Sequence, residues 1–447
     1  ITLNHPTFDS RITYMKDFTR EGRVYFDPAQ VLTVVPGATA GQVKVSTKIL
    51  VTPRIPALPI TDQATEVKDL VLKVSQSLRD ELLDPSRVTQ LKLSVLTEDS
   101  LNGEEDQVDL NANGSKTDRF LVLMRMAARA EDDRIFVDFT GTGDFTNTPS
   151  VGDWNKAKEV FTLGAEKIGF EIKDDRLPSA ASPAPVNVHS ASIVGYDPGN
   201  HGSHVGGIAA GSKTILNDRG QSLARGVAPS AQILMNRVCS NNAGCSASAA
   251  MVDMAMVAHA DLVNMSLGGL SPFNDGYGVQ ETIVNRMTQE KNVLFVISAG
   301  NNGPGRQTIG SPSTARLSLS VGAAATPAMI QRQYQYSGQG GSEGRGPNDP
   351  FMLFFSSRGP TAAGGFKPNL TAPGTELSAV QLNGATGTRP GLAVYWGTSM
   401  SAPAAAGAYA LLLDAIRKHN RLHPEAPLST QSTVLRRVLI ESAQAFD

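Results

Sequence analysis

The sequence predicts an α/β fold: a doubly wound parallel sheet with helices on both faces, interrupted by an inserted subdomain of mixed α and β structure. Two observations carry this. From residue 191 onward almost wholly apolar runs alternate with helical runs, and continuous apolar strands separated by helices belong to a parallel sheet covered on both faces. Between residues 21 and 190 that alternation is lost, with Pro53, Pro56 and Pro59 close together and a charged loop from Glu98 to Asp109. The chain therefore divides into 1–20, which opens a first domain, 21–190, the inserted subdomain, and 191–447, the main part of the first domain.

The elements follow in order. Ile1-Thr2-Leu3 reads as a strand-like phrase leading into His5-Pro6-Thr7-Phe8. Val67, Val71, Val74, Leu78 and Leu82 fall at helical spacing and end near Pro85, so one amphipathic helix is expected there. Phe120 to Met126 and Arg134 to Val137 read as strands. Beyond residue 191, strands are expected at Ala231 to Val238, Leu262 to Met265 and Val293 to Ile297. Helices are expected at Ser246 to Ala258, Tyr277 to Lys291, Ala404 to Ile416 and Gln431 to Ala445.

Composition narrows the function classes. The chain has 447 residues, 40% of them hydrophobic, and a formal net charge of −2. No basic cluster stands out, so a nucleic-acid partner is not expected. No apolar run approaches the roughly 20 residues that span a bilayer, so no membrane partner is expected either. Cys239 and Cys245 bracket a small polar loop. They read either as a short disulfide of an oxidising compartment or as two free thiols.

Three segments carry the chemistry. Gly397-Thr398-Ser399-Met400-Ser401-Ala402-Pro403 opens an apolar helix, which puts Ser399 at the positive helix end, either as a helix cap or as a nucleophile. A serine hydroxyl is a weak nucleophile and needs a general base. His201 is the candidate, in Asn200-His201-Gly202-Ser203-His204-Val205-Gly206-Gly207, where small residues allow close helix packing. His201 and His204 are a poor metal pair, because the His-Glu-x-x-His spacing and its Glu are absent. Ser298-Ala299-Gly300-Asn301-Asn302-Gly303 runs from a strand end into a turn. Asn301 is the oxyanion candidate, with the Ser399 backbone N–H as second donor.

Together these segments resemble the subtilisin-like serine peptidases, whose His-Gly-Thr-His-Val, Ala-Gly-Asn and Gly-Thr-Ser-Met-Ser-x-Pro motifs occur in this chain order. Phe355-Ser356-Ser357-Arg358-Gly359-Pro360 also reads like the family. The resemblance implies a serine peptidase acting on protein or peptide substrates through an acyl-enzyme, with no cofactor required. It further implies that Ser266, Leu267 and Gly268 form a cleft wall that binds extended peptide as an added strand. The alternative class is a non-catalytic peptide-binding scaffold that keeps the cleft without turnover.

The family's catalytic Asp belongs to a turn just before a phrase like Ile1-Thr2-Leu3, so its expected position falls upstream of Ile1. An N-terminal segment carrying that Asp is accordingly an expected partner of this chain. Asp138, in Phe136-Val137-Asp138-Phe139-Thr140-Gly141, is the best internal substitute, whereas Asp197 sits too near His201 in sequence to reach behind the imidazole.

The long insertion is similar to that of the tripeptidyl-peptidase II branch, whose members carry a Glu directly after the cleft strand. Here Gly269-Leu270 holds that place, which favours endopeptidase cleavage over release of tripeptides. Asp109-Leu110-Asn111-Ala112-Asn113-Gly114 places oxygens at alternate positions, as calcium loops do, without the closing Glu. Asp109, Asn111 and Asn113 are therefore a calcium candidate, and a polar turn is the competing reading.

Overall fold

The computed structural model describes residues 1–3, 5–27, 30, 32–34, 41–45, 49–51, 64–65, 70–84, 90–101, 109–111, 113–163, 166–179, 182–197, 199–212, 215–216, 222–240, 244–337, 346–380 and 391–445. Its helices are α1 (Gln76–Leu83), α2 (Trp154–Ala157), α3 (His201–Ala210), α4 (Ser248–Met256), α5 (Val279–Lys291), α6 (Pro327–Ser337), α7 (Thr398–Leu422) and α8 (Ser432–Glu441).

Four strands run parallel side by side: Leu262–Met265, Leu294–Ser298, Leu319–Ala325 and Leu370–Pro373. Every residue of the Leu294–Ser298 and Leu319–Ala325 strands is buried. Strand alternation explains how both faces are used. Leu294 and Val296 point to α7 and α8, packing with Ala402, Ala405, Tyr409, Leu413 and Leu435. Phe295 and Ile297 point the other way, to Met251, Ala255, Val284 and Met287 of α4 and α5. A second parallel pair joins Ile12–Asp17 to Ile233–Arg237. The predicted α/β arrangement with helices on both faces is thus present.

Helix α7 is long and apolar enough, by length and composition, to cross a membrane, but half of its most apolar stretch is buried. Its apolarity is accounted for by the sheet it covers.

Residues 21–190 form mainly antiparallel sheets, with Ile49–Val51 parallel to Gln90–Thr97 and Asp144–Phe145 parallel to Leu70–Val74. One contains the Gln90–Thr97, Arg119–Met126 and Arg134–Asp138 strands. Another contains Phe161–Leu163, Glu166–Ser179, Ser182–Val194 and Arg23–Phe26. The expected boundary at residue 190 falls inside the Ser182–Val194 strand, which runs on toward α3. At this junction Arg23 is buried, and its guanidinium reaches Asp17 and Asp175, each at 3.0 Å.

Three expectations are corrected. The helix expected from Val67 through Leu82 is a strand, Leu70–Val74, followed by the short α1. Val71 and Val74 satisfy helical spacing, yet Leu72 and Val74 are buried while Val71 and Lys73 are exposed, the period of a half-buried strand. Ser75 then caps α1 by accepting from Leu78 N at 3.2 Å. The Val67 end of that expectation lies outside the described residues. Helix α5 starts at Val279, because Gly278 caps it and Asp275 holds Tyr277 in the preceding turn. Ile1-Thr2-Leu3 is not a strand: Leu3 N bonds the Gly195 carbonyl at 3.0 Å and Thr2 N bonds Ser203 Oγ at 3.0 Å.

Candidate active site

The site assembles where strands end and helices begin, as expected at the carboxyl edge of a parallel sheet. The Leu262–Met265 strand ends at Ser266, the Leu294–Ser298 strand runs out to Asn301, and α3 and α7 begin at His201 and Thr398. Small residues bring the two helices together. A β-carbon on Gly407 of α7 would lie 3.0 Å from the Ala209 carbonyl oxygen of α3 and 2.5 Å from Val227 Cβ. His201 lies eight residues before Ala209 and Ser399 eight before Gly407, so each first turn stands about 12 Å back from the crossing.

Ser399 sits in the first turn of α7 and is half-buried. The capping reading of Ser399 is corrected, since Gly397 is the N-cap and the first helical N–H, that of Thr398, is taken by Asn301 Oδ1 rather than by Ser399. Ser399 Oγ instead lies 3.4 Å from the Ser266 carbonyl oxygen, while Ser266 Oγ donates to the Ser399 carbonyl at 2.8 Å. The nucleophile candidate and the cleft wall are thereby tied together.

Asn301 is exposed and oriented by one residue. Its Oδ1 accepts from Thr398 N at 3.0 Å and from Thr398 Oγ1 at 2.9 Å. That leaves its Nδ2 as the donor. Gly397 has φ 153° and ψ 162°, a conformation only glycine adopts without strain. A β-carbon there would lie 3.4 Å from Asn301 Nδ2 and 3.6 Å from Ser399 N. Two N–H donors therefore border one small space that the missing side chain leaves open, as an oxyanion hole requires.

His201 is exposed at the start of α3. Surrounding protein lowers its pKa below the usual imidazole value, with the Asp197 charge opposing, so the neutral, basic form is favoured near neutrality. Asp197 is spoken for: its Oδ2 accepts from Ser203 N and Ser203 Oγ, both at 2.6 Å, and lies 3.7 Å from the Ile1 backbone nitrogen. It pins the first turn of α3 and does not bond the imidazole. Asp138 is also committed elsewhere, to Thr140 N at 3.1 Å, Thr140 Oγ1 at 2.6 Å and Gly143 N at 2.6 Å within the insertion. His204, one helical turn after His201, donates Nε2 to the Ala393 carbonyl at 2.9 Å, and burial lowers its pKa to about 4.

Leu267 and Gly268 lie beyond the strand pairing that ends at Met265. Gly269 then forms an antiparallel bridge with Ser311, its N donating at 3.1 Å and its carbonyl accepting at 2.8 Å. This fixes one end of the Ser266–Gly268 wall.

Two supports escaped the sequence reading. Thr398 was seen only as part of a motif, yet it sets the orientation of Asn301. Ser357 accepts from Asn302 N with its Oγ at 3.1 Å and donates its own N to Gly300 O at 2.9 Å, bracing the same loop. The Phe355-Ser356-Ser357-Arg358 phrase was the available signal for it.

The calcium candidate closes on itself. Asp109 accepts from Asn113 N at 3.1 Å and Gly114 N at 2.8 Å, and the Asn111 and Asn113 amides donate to Asp118 at 3.1 and 2.6 Å. Among the described residues no group of three or more His, Cys, Asp or Glu side chains is placed to hold a metal. Cys239 and Cys245 are joined as a disulfide across a short antiparallel pair.

The model of the subtilase family of peptidases matches residues 91–447. The chain belongs to the subtilase family. It is 29% identical over 393 residues to pyrolysin of Pyrococcus furiosus, covering 77% of this chain and 26% of pyrolysin. It is 34% identical over 226 residues to tripeptidyl-peptidase 2 of Arabidopsis thaliana, covering 49% of this chain and 15% of that protein. The chain thus spans about a quarter or less of these relatives. Among solved structures, sphericase aligns over 61% of this chain and 76% of its own, with a TM-score of 0.41 and 23% identity.

Proposed function

We propose that the protein is a serine endopeptidase that cleaves peptide bonds through an acyl-enzyme. The observation that carries this reading is the convergence of Asn301 Nδ2 and Ser399 N beside Gly397, in a chain of the subtilase family. Ser399 Oγ attacks the scissile carbonyl while His201 takes its proton, and the two donors receive the developing oxyanion. His201 then returns the proton to the leaving amine, and water repeats the sequence on the acyl-enzyme. These steps use side chains and backbone only, and no cofactor is required.

Within this proposal, the carboxylate that orients the imidazole is the Asp that the family resemblance puts before Ile1. Support comes from Ile1 and Thr2, which lie against the first turn of α3. Loss of such an acid costs on the order of 10⁴-fold in turnover, a magnitude known from serine peptidases of the same triad type.

Similarity to tripeptidyl-peptidase 2 favours a second reading, release of tripeptides. An exopeptidase must hold the substrate ammonium with carboxylates, and the residue after the cleft wall is Gly269, followed by exposed Leu270. This supports internal cleavage. Mass spectrometry of the products from an unstructured protein substrate tests it: peptides of varied length arising within the chain are expected, and release of N-terminal tripeptides alone would overturn the endopeptidase reading.

A further inference from the structure

The antiparallel pair Thr375–Val380 and Gly391–Trp396 lies next to the nucleophile, because Gly397 N donates to Gly374 O at 2.9 Å. In this pair Glu376 stands opposite Tyr395. Direct cross-strand partners project from the same face, with β-carbons about 4.5–5.5 Å apart. That face is turned toward α3. The Tyr395 ring stacks on His204, centroids 4.4 Å apart and planes at 17°, and Ser378, two residues beyond Glu376, donates its Oγ to the His204 carbonyl at 2.8 Å. One helical turn before His204 is His201. Glu376, Tyr395 and His204 therefore form a cluster beside the general base.

Within that cluster Glu376 is unanswered. It is half-buried, and among the described residues no hydrogen bond or ion pair satisfies its carboxylate. Burial raises its pKa to about 7. His204 offers no compensating charge, since its pKa is near 4. A partly desolvated carboxylate without a partner is costly, and an arriving cation that pairs with it removes that cost.

The chemistry says from which side the cation comes. His201 delivers its proton to the leaving amine, so the departing segment must pass the start of α3. The acyl segment lies on the other side of Ser399, along Ser266–Gly268, which Ser399 contacts directly. We propose that Glu376, beside Tyr395 and His204, is a specificity-determining residue that selects substrates with a lysine or arginine just after the cleaved bond. This rests on the peptidase reading above.

The test compares peptides that differ only in carrying lysine or norleucine at each of the first two positions after the cleaved bond. The expected kcat/KM ratio favours lysine at one of these positions by about tenfold, equivalent to about 1.4 kcal/mol. Glu376→Gln brings that ratio to near one. A ratio near one in the unaltered protein, or a preference that survives Glu376→Gln, overturns the proposal. Binding gives a readout independent of turnover. In a Ser399→Ala protein, calorimetry is expected to show about tenfold tighter binding of the lysine peptide, lost when Glu376→Gln is added. Equal binding of the two peptides, or binding of neither, overturns the proposal. Fluorophosphonate labelling of Ser399 reports on the peptidase reading separately: labelling without charge preference removes only the role of Glu376, and no labelling removes the peptidase reading itself.

Discussion

Asn301 and Thr398 are locked together by two hydrogen bonds into one side-chain oxygen, from Thr398 N at 3.0 Å and from Thr398 Oγ1 at 2.9 Å. With Oδ1 so occupied, the amide cannot flip without losing both bonds. Its Nδ2 is held as the donor before any substrate arrives. Such preorganisation is what makes a hydrogen-bond donor effective against a developing charge.

Removing the amide removes one of the two donors. Asn301→Ala is expected to lower kcat by about 10²–10³-fold with little change in KM, a magnitude taken over from the equivalent loss in subtilisin. Steady-state kinetics on a peptide substrate check this. A rise in KM at constant kcat would assign Asn301 to ground-state binding instead.

The orienting bond can be weakened separately. Thr398→Val removes the hydroxyl donor but keeps the backbone donor, so a smaller fall in kcat is expected, about tenfold, from the loss of one hydrogen bond. Combining it with Asn301→Ala should add less than the sum of the two, because the hydroxyl's bond to the amide is lost in either variant, while its bond from Gly300 N at 3.1 Å is lost only with Thr398→Val. A double-mutant cycle reads this, and full additivity of the two losses would contradict it.

Gly397 is sensitive for two reasons. An added methyl lands 3.4 Å from Asn301 Nδ2 and 3.6 Å from Ser399 N, in the space meant for the oxyanion, and a side chain at φ 153° is strained by about 1–3 kcal/mol. Gly397→Ala should therefore lower kcat strongly and also lower the unfolding midpoint. Unchanged kcat in a folded variant would show that this space is not where the oxyanion forms.

The base must be neutral to accept the Ser399 proton. Surrounding protein lowers the His201 pKa in this chain, so, measured on the chain without the upstream Asp, kcat/KM should rise with pH through an ionisation below the usual imidazole value of about 6.5, and the Asp in the longer protein should move it up. Asp197 opposes that shift, so Asp197→Asn should move the profile further toward acid. A shift to higher pH in the variant would contradict the placement of Asp197 beside His201.

Stability at the junction should depend on Arg23. Its guanidinium is buried between Asp17 and Asp175, and removing one partner of a buried ion pair leaves the other charge uncompensated. Arg23→Ala is expected to destabilise by about 3–5 kcal/mol, read from denaturant unfolding. A loss below about 1 kcal/mol would mean that water replaces the arginine.

Two of the four parallel strands, Leu262–Met265 and Leu294–Ser298, were legible as short, mostly apolar runs, whereas Leu319–Ala325 and Leu370–Pro373, interrupted by Ser320, Gly322 and Thr371, were not read as strands. Leu262 to Met265 is bounded in sequence as it is in space, and the strands expected at Val293 to Ile297 and Ala231 to Val238 differ from Leu294–Ser298 and Ile233–Arg237 by a residue or two. The Val67 to Leu82 region was not legible, since Val71 and Val74 are spaced alike for helix and strand, and burial decided between them. The same limit applies to the site. Ser399, His201 and Asn301 declare themselves by residue type and motif, but the turn of the Asn301 amide depends on Thr398, a residue 97 positions away. Asp197 shows the converse: its nearness to His201 in sequence was visible, while its engagement with Ser203 required the helix to be folded. Glu376 carried no sequence signal, for only strand pairing sets it beside Tyr395 and His204.

The central claim is that Ser399 is an activated nucleophile beside a preformed oxyanion hole. Mass spectrometry after treatment with a fluorophosphonate tests it most directly, using the full-length protein that carries this chain. The account predicts a single phosphonylated residue, Ser399, with labelling abolished in Ser399→Ala and slowed strongly in His201→Ala. Absence of modification at Ser399, or peptide hydrolysis that persists in Ser399→Ala, would contradict it.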